Sequence, residues 1–487
     1  MSKEQDNSNS DNLELSSPEN NEKLIDTNLI KIDDGARSTI FICLTLIATF
    51  SSCDGGIIPQ QNENIKKDFD NDEAKIGLFG SIDYIGRAFA ALVFSVIMGK
   101  MNRKMLLVGT LIFKAITLCI PIFTANYYVN LVLRCLSGIS QVFYPTYLPV
   151  WCDQYGKKDK RAIMVTVVQI GNPIGIIVGY GISMFCEVFT SGKFHAWRLA
   201  FFVEGIILII CAIVIFFFKN IYFSEKLVLI EDNLGKEEKQ KENKSYTSLF
   251  SNIITILCNK IFLFATLANS VAFFGIGVVQ YYGDKYMDKV LNIKGTLKFI
   301  LFGSLCLLGP TLGMVFGGIV CSKLGGYVKL ASMKFVIISM LLASVISCLI
   351  ACHENMVLFI ITALFYLFFI GASVPPESGI IISSLDNNLR GDGFSLCNCL
   401  LNLVGSFPSS YAYALICKIY THYYPDEPGK EESPDKYRYA WMISMLYNFI
   451  GFLFILLSGI FRCKIPGDLS SGDEKTPKED DEMKEVS

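Results

Sequence analysis

The chain has 487 residues, of which 52% are hydrophobic and 18% are charged, and its formal net charge is −2. Its mean hydropathy is +0.43, whereas a soluble domain carries roughly 25% charged residues. This composition excludes an ordinary soluble enzyme. The chain also has no basic patch interleaved with aromatic residues, so we expect no nucleic-acid partner.

The first half begins with a polar, acidic segment that is rich in Asn, Ser and Glu and lacks the apolar core of a cleavable signal peptide. We predict a disordered cytoplasmic tail over residues 1–37. Long apolar blocks follow, and a helix of about 20 such residues crosses a hydrocarbon core about 30 Å thick. Six spans are predicted at roughly 38–58, 76–99, 105–124, 127–150, 162–188 and 198–218.

The second half follows a hydrophilic segment, 219–257. We predict that this segment is a cytoplasmic loop that ends in an amphipathic interfacial helix, 246–257. A disordered cytoplasmic tail is predicted over 462–487. Six further spans are predicted at roughly 258–282, 299–321, 331–352, 356–382, 393–418 and 438–461.

Repeated apolar blocks predict an all-α membrane protein, because a backbone in lipid must satisfy its own hydrogen bonds. We expect twelve transmembrane helices in two six-helix pseudo-repeat bundles, 38–218 and 258–461. Basic residues at 100–104 and 157–161 favour cytoplasmic termini, although Lys285 and Lys289 would then lie outside. Which membrane holds the protein is left open.

The two halves share weak internal repeats. Arg161 opens the fifth span and Arg390 opens the eleventh, and each precedes a Gly/Pro-rich patch, at 171–173 and 405–408. Paired halves with interrupted helices in matching places are typical of transporters that work by alternating access.

Ionisable residues inside the spans are costly, so each is a candidate functional residue. Asp54 is expected to bind a proton or a cationic group, or else to cap a broken helix end. Asp83 and Arg87 lie four residues apart and can pair, either structurally or as a pair that an anionic substrate or a proton opens. Arg134 is expected to bind an anionic head group or to pair with an acid of the first two spans.

Glu377 follows two prolines in the tenth span. A bent helix that carries a carboxylate suits a protonatable gate, but Glu377 could equally be exposed near the cytoplasmic mouth. Glu204 is interpreted as a structural partner of Arg198 or of a neighbouring helix. Polar residues that could line a cavity, or else form interhelical hydrogen bonds, are Gln169, Asn172, Gln280 and Tyr281.

No metal site, cofactor or disulfide framework is predicted. The 16 cysteines are scattered without zinc-ligand spacing, and the 3 histidines fall in predicted outer loops. We find no hydrolase, metalloprotease or phosphate-binding motif. A membrane-embedded enzyme and a receptor that binds ligand without transport stay open as alternatives.

The loop after the second span resembles the signature of the major facilitator superfamily, G-x-x-x-D-R-x-G-R-K. The first copy keeps its basic residues as Lys100, Arg103 and Lys104, and the second copy has Ser322 in place of the family's Asp, followed by Lys323. The resemblance implies that these five residues form gating loops. Neither copy has the acid that usually completes the gating salt bridge.

Within that superfamily the chain is similar to spinster-like transporters. Asp54 followed by Phe69, and Arg134 with Gly138 in the fourth span, resemble motifs of that branch, while Gln141 stands where the branch has Glu. We include Gln141 among the expected substrate- or proton-binding residues.

These likenesses imply substrates. The spinster likeness implies an amphipathic lipid such as a lysophospholipid or sphingoid base, and the stretch 197–205, which resembles the anion:cation symporter branch, implies a small organic anion. In either case we expect a monomeric secondary transporter in the lipid bilayer, coupled to protons. As a mechanistic hypothesis, protonation of Asp54 releases its contact with Arg134 and lets the two halves rock.

Overall fold

The architecture is that of a helical membrane protein, in a computed structural model that describes residues 34–70, 72–97, 101–124, 126–155, 161–190, 196–223, 246–350, 355–386, 389–425 and 432–464. Nearly all of both predicted tails, most of the central loop, and Lys100 lie outside these described residues.

Within the described residues, the first half contains nine α-helices. They are α1 Asp34–Phe50, α2 Asp54–Gln60, α3 Asn62–Asp68, α4 Glu73–Ile97, α5 Arg103–Cys119, α6 Tyr127–Gln141, α7 Phe143–Tyr155, α8 Arg161–Thr190 and α9 Ala196–Phe217. A short 3-10 helix, Ile120–Phe123, extends α5.

The second half follows α10, Tyr246–Cys258, which coincides with the predicted interfacial helix and contacts the second half through a 2.8 Å hydrogen bond from Asn252 Nδ2 to Asp392 Oδ2. Its helices are α11 Lys260–Lys289, α12 Gly295–Lys323, α13 Leu330–Ile350, α14 Met356–Ser383, α15 Arg390–Leu400, α16 Phe407–Tyr423 and α17 Pro434–Cys463.

The predicted twelve-span, all-α architecture is confirmed. Among the described residues, 11 helical segments are long and apolar enough to cross a membrane, and each coincides with a predicted span. The remaining predicted span, 127–150, is occupied by α6 and α7, which only Val142 separates. Both ends of the first and second spans lie within a few residues of prediction, whereas the helix of the seventh span continues to Lys289, seven residues beyond its predicted end.

Besides the fourth span, which is divided into α6 and α7, two of the described spans are interrupted. The first breaks at 51–53, so that Asp54 begins the short helix α2, and the eleventh contains a π-helical turn, Leu401–Ser406, beside the predicted Gly/Pro patch. The interruption expected at 171–173 is wrong, because Pro173 lies within the continuous helix α8. Neighbouring helices allow a membrane helix to accommodate proline, and here α8 packs closely on α1 and α2.

Glycines allow the helices that carry the site to touch through their backbones. A methyl group added at Gly138 of α6 would lie 1.9 Å from the backbone oxygen of Asp83 on α4. A methyl group at Gly179 of α8 would lie 1.9 Å from the backbone oxygen of Cys53, just before α2. Small residues permit such close approach between membrane helices. These two contacts fix the positions from which Asp54 and Asp83 extend.

We expect Gly138→Ala to lower the free energy of unfolding by about 1–3 kcal/mol, because overpacking forces the two backbones apart. Thermal unfolding of the purified protein in detergent measures this change. Gly109→Ala is the matched control, since no atom lies within 4 Å of the added methyl group. An equal melting temperature for both variants would contradict the proposed role of the α4–α6 contact.

Candidate substrate and proton site

Six ionisable side chains from five helices meet inside the first half, and we call them the charge network. Five of the six are almost completely buried, with exposures of 0–3%, and Arg87 is half-buried. Its members are Asp54 on α2, Asp83 and Arg87 on α4, Lys114 on α5, Arg134 on α6 and Glu204 on α9.

Arg134 links two of the acids. Its Nη1 lies 2.8 Å from Asp54 Oδ2, and its Nη2 lies 3.6 Å from Asp83 Oδ1. The other oxygen of Asp83 pairs with Arg87 Nη2 at 2.7 Å. The pairs that the four-residue spacing and the isolated cation predicted are therefore present, and they form one connected chain of charges.

Asp54 is the most heavily hydrogen-bonded acid of the network. Besides Arg134, its Oδ2 accepts from Gln141 Nε2 at 2.9 Å, and its Oδ1 accepts from the backbone N–H of Gly55 at 3.1 Å. Lys114 Nζ lies 3.6 Å from Oδ1. Asp54 is thus buried inside the bundle, at the start of α2 where the first span is broken.

Lys114 is the member of the network that the sequence interpretation missed, and it supplies the partner on a neighbouring helix that was one of the two alternatives for Glu204. Lys114 Nζ lies 3.3 Å from Glu204 Oε1 and also donates to the backbone carbonyl of Ser51. The signal was a single lysine in the middle of the third span, where a charge is expensive. Arg198, the other suggested partner of Glu204, instead pairs with Asp68 at 3.3 Å.

The charge network balances when all its members are ionised, because it contains three acids and three bases. Buried charges are tolerated only when they are paired. Adding or removing a single proton therefore leaves one uncompensated charge in a dry environment, which makes the network sensitive to protons and to charged ligands.

Residues of the second half approach the network through aromatic contacts. Tyr281 is buried and meets Tyr84 edge to face, with ring centroids 6.5 Å apart, while the Arg87 guanidinium lies over the Tyr84 ring at 4.6 Å. Gln280 Nε2 is 3.4 Å from the backbone oxygen of Gly55. The predicted polar residues of α11 thus lie where the halves meet.

The structure does not bring every predicted residue to this site. Gln169 and Asn172 are exposed on α8. Glu377 lies apart, on α14 of the second half; it is fully buried, so the alternative of an exposed Glu at the mouth is wrong. Neither of its carboxylate oxygens accepts a hydrogen bond from any residue that the structure describes. The buried hydroxyl of Thr266 on α11 also has no hydrogen-bond partner among the described residues.

Of the predicted gating-loop residues, Lys104 makes the most specific contact. Its Nζ donates to the backbone oxygen of Phe216 at 2.7 Å and to that of Phe218, and so binds the carboxyl end of α9, where a cation is favourable. The Arg103 guanidinium lies 6.0 Å from the Tyr147 ring. Ser322 and Lys323 are exposed, and Lys100 lies outside the described residues.

A second ionic cluster, which we call the latch, joins the two halves at the distal side, where the first span ends. Lys66 Nζ lies 2.6 Å from Glu73 and 2.7 Å from Glu432. Lys285 lies 3.6 Å from Glu73, and Lys436 lies 3.1 Å from Glu432. Lys66 and Glu73 belong to the first half and the other three residues to the second, so the latch holds the distal side closed.

The latch shifts the ionisation of Glu432, which lies outside the spans. Burial raises the pKa of this carboxyl, but hydrogen bonds from Lys66 and Tyr437 and the charge of Lys285 outweigh burial and hold the pKa well below its usual range. Burial lowers the pKa of Lys66, but the charges of Glu73 and Glu432 and the hydrogen bonds to them outweigh burial and raise that pKa. The carboxyl of Glu432 and the ammonium of Lys66 therefore stay charged near neutral pH.

Comparison with known proteins places these features in a family. The profile of the Major Facilitator Superfamily matches residues 40–409. Protein spinster homolog 1 of Xenopus tropicalis is 24% identical over 286 residues, which cover 58% of this chain and 51% of that protein. A sphingosine-1-phosphate transporter of Danio rerio is 23% identical over 300 residues, covering 59% of this chain and 57% of that protein.

The fold has a counterpart among solved structures. A crystal structure of a bacterial homolog of the human lysosomal transporter Spinster has a TM-score of 0.72 and 14% sequence identity, and it covers 90% of this chain and 100% of that chain. The predicted likeness to the spinster branch is thereby confirmed. The chain spans about half the length of the curated relatives that it matches.

Proposed function

The chain belongs to the major facilitator superfamily, and on that premise we propose that it is a proton-coupled secondary transporter of an amphipathic lipid, of the lysolipid or sphingoid class. The observation that carries the proposal is the buried charge network. A transporter that alternates access between its two halves needs a central site whose ionisation depends on whether substrate is bound. The charge network has that property.

The arrangement of the network favours a head group that bears negative charge. Arg134 and Arg87 present guanidinium groups, which bind carboxylates and phosphates through paired hydrogen bonds. Both lie next to the inter-half contact of Tyr84 and Tyr281, whose rings supply an apolar surface beside the charges. A lipid with an anionic head and an apolar tail matches both chemistries.

A small organic anion is the second candidate substrate. The solute carrier organic anion transporter family member 1A6 of Mus musculus is 21% identical over 286 residues, which cover 51% of this chain and 40% of that protein. The stretch 197–205, which includes Glu204 of the network, also resembles a branch that carries anions. We propose further that the protein works as a monomer with both termini in the cytoplasm.

Reconstitution in liposomes tests the function. With one proton moved per substrate, we expect a pH gradient of one unit to drive about tenfold accumulation, since one unit is worth about 1.4 kcal/mol. Sphingosine 1-phosphate and a labelled lysophospholipid are compared with labelled succinate, a small organic anion without an apolar tail. Accumulation of succinate alone would select the second candidate. Saturable binding of any of them without flux would contradict transport and favour a receptor, and chemical conversion would favour an enzyme.

A further inference from the structure

We propose that Glu204, rather than Asp54, is the carboxylate that takes up the coupling proton, and that its protonation turns the charge network into a binding site for an anionic group at Arg134. The inference rests on the proposed function and names the residue that couples protons to substrate within it. It replaces the hypothesis that Asp54 itself is protonated.

The three acids of the network differ in how strongly their ionised forms are held. Asp54 accepts hydrogen bonds from Arg134, Gln141 and the backbone of Gly55, and it has Lys114 at 3.6 Å as well. A carboxylate that accepts several hydrogen bonds and faces two cations resists protonation. Asp54 is therefore poorly suited to bind and release a proton.

Asp83 is also held by two cations. Arg87 pairs with one of its oxygens at 2.7 Å, and Arg134 lies 3.6 Å from the other. Neither guanidinium deprotonates in proteins, so these charges are permanent. Asp83 therefore has a permanent counter-charge facing each of its two oxygens.

The ionised form of Glu204 has the fewest stabilising contacts of the three acids. It is fully buried, and in the described part of the chain neither of its oxygens has a hydrogen-bond donor other than Lys114. Its single close cation is Lys114 at 3.3 Å, and that ammonium is shared with Asp54. A desolvated carboxylate with a shared counter-ion is the member of the network that accepts a proton at the lowest cost.

Of the segments that pack on α9, α5 and α2 place charged groups closest to Glu204. Lys114 faces it from α5 and Asp54 from α2, with the thiol of Cys53 beside Asp54 and with Arg134 and the Tyr144 hydroxyl farther away. Other charged groups on these segments have contacts or positions away from Glu204. Asp68 of α3 pairs with Arg198, Glu187 of α8 accepts from Gln60, Asp34 and Arg37 lie at the far end of α1, and the turn 120–123 carries no charge.

Protonation of Glu204 changes the whole network. One proton enters from solvent and binds a Glu204 oxygen, so three bases then face only two carboxylates. Lys114 no longer has a charged partner in Glu204 and shifts towards Asp54, where it competes with Arg134. Arg134 becomes available to an anionic head group, whose charge restores the balance. The proton leaves Glu204 when the anion is released.

Binding of the proton and binding of the anion must then reinforce each other, because coupling between two sites is reciprocal. Gln141 fits this scheme. The spinster-like branch has a Glu at that position, whereas here an amide, which cannot titrate, donates to Asp54. The titrating carboxylate is supplied instead by α9, at Glu204.

Glu204→Gln tests the inference, because the amide imitates a permanently protonated carboxyl. Uptake of sphingosine 1-phosphate into liposomes is measured with and without a pH gradient. We expect the variant to lose the roughly tenfold accumulation per pH unit but to keep exchange of labelled for unlabelled substrate. Binding of sphingosine 1-phosphate should become independent of pH between 5 and 8. Glu187→Gln, at an exposed glutamate of α8, is the control and should behave as wild type.

The outcomes separate the two proposals. If the wild-type protein shows no accumulation driven by the pH gradient, the proposed proton coupling is wrong. If wild type and Glu204→Gln accumulate substrate equally, only the assignment to Glu204 is overturned. Inorganic phosphate is included as a competitor, because competition as strong as that of the lipid would show that the network recognises free phosphate rather than a lipid head group.

A second variant covers the case in which Glu204→Gln does not fold. Lys114→Met combined with Glu204→Gln removes one base with one acid and keeps the remaining charges balanced. We expect this double variant to fold and to bind sphingosine 1-phosphate weakly and without pH dependence, because no extra cation can be generated. In the wild type, a pH-indicator dye should record about one proton taken up per anion bound. Proton uptake by the double variant equal to that of wild type would overturn the inference.

Discussion

Asp54→Ala is expected to abolish transport and to lower the free energy of unfolding by about 3–5 kcal/mol, the usual cost of leaving one partner of a buried ion pair unpaired. Asp54 is the acid closest to Arg134, at 2.8 Å, and it shares Lys114 with Glu204. Its removal leaves two buried cations with a single acid each. The measurements are substrate uptake in liposomes and chemical unfolding in detergent.

Two comparisons make this prediction specific. Asp386→Ala removes an exposed aspartate and should change the free energy of unfolding by less than about 0.5 kcal/mol. Asp54→Asn keeps the size of the side chain and should be more damaging than Glu204→Gln, although each removes one negative charge, because only the former loses the Arg134 contact. Transport at the wild-type rate by Asp54→Ala would refute a central role for the network.

Glu73→Ala is expected to open the distal side of the molecule. It leaves Lys66 without the acid at 2.6 Å, and it also removes the negative charge that Lys285 and Lys436 face at 3.6 and 4.0 Å. We expect a loss of about 3–5 kcal/mol from the closed arrangement, enough to shift a two-state population by more than a hundredfold. Hydrogen–deuterium exchange at 62–69 and 282–290 should become faster.

The control for the latch is Lys418→Ala. Lys418 pairs with Asp72 across the two halves at 2.9 Å, but its side chain is 52% exposed, and exposed pairs contribute about 0–1 kcal/mol. Its removal should leave the exchange of both segments nearly unchanged. Equal exchange in the two variants would show that the buried latch does not hold the halves together.

The latch is also expected to remain insensitive to pH in the range where transport is measured. Because contacts in the folded protein depress the pKa of Glu432, its contribution is fully present above its ordinary pKa of about 4.3. The contribution is lost only as the pH falls through the depressed value. Any dependence of transport on pH between 5 and 8 must therefore arise elsewhere.

The sequence predicted the spans because each apolar block is long enough to cross a bilayer by itself. The Asp83–Arg87 pair was also predictable, since residues four apart share one face of a helix. Lys114 was overlooked because its block is otherwise strongly apolar, so that the average hydropathy conceals one charge. An inspection of each span for single ionisable residues would have found it.

The contacts between halves could not be predicted from periodicity. Lys66 and Glu432 are separated by most of the chain, and only the packing of the two bundles brings them to 2.7 Å. Packing between helices also explains why α8 continues without a break through Pro173. Its backbone contact with the first span, through Gly179, depends on tertiary packing that no local pattern records.

The equal numbers of acids and bases in the charge network have a consequence for energetics in a polarised membrane. Moving one unmatched elementary charge through 100 mV costs or yields about 2.3 kcal/mol. A network whose charges cancel does no such work when the protein reorients empty, and a proton carried together with a monoanion adds none. The rate should therefore respond to the acidity on either side and remain unchanged when a potassium diffusion potential is imposed with valinomycin.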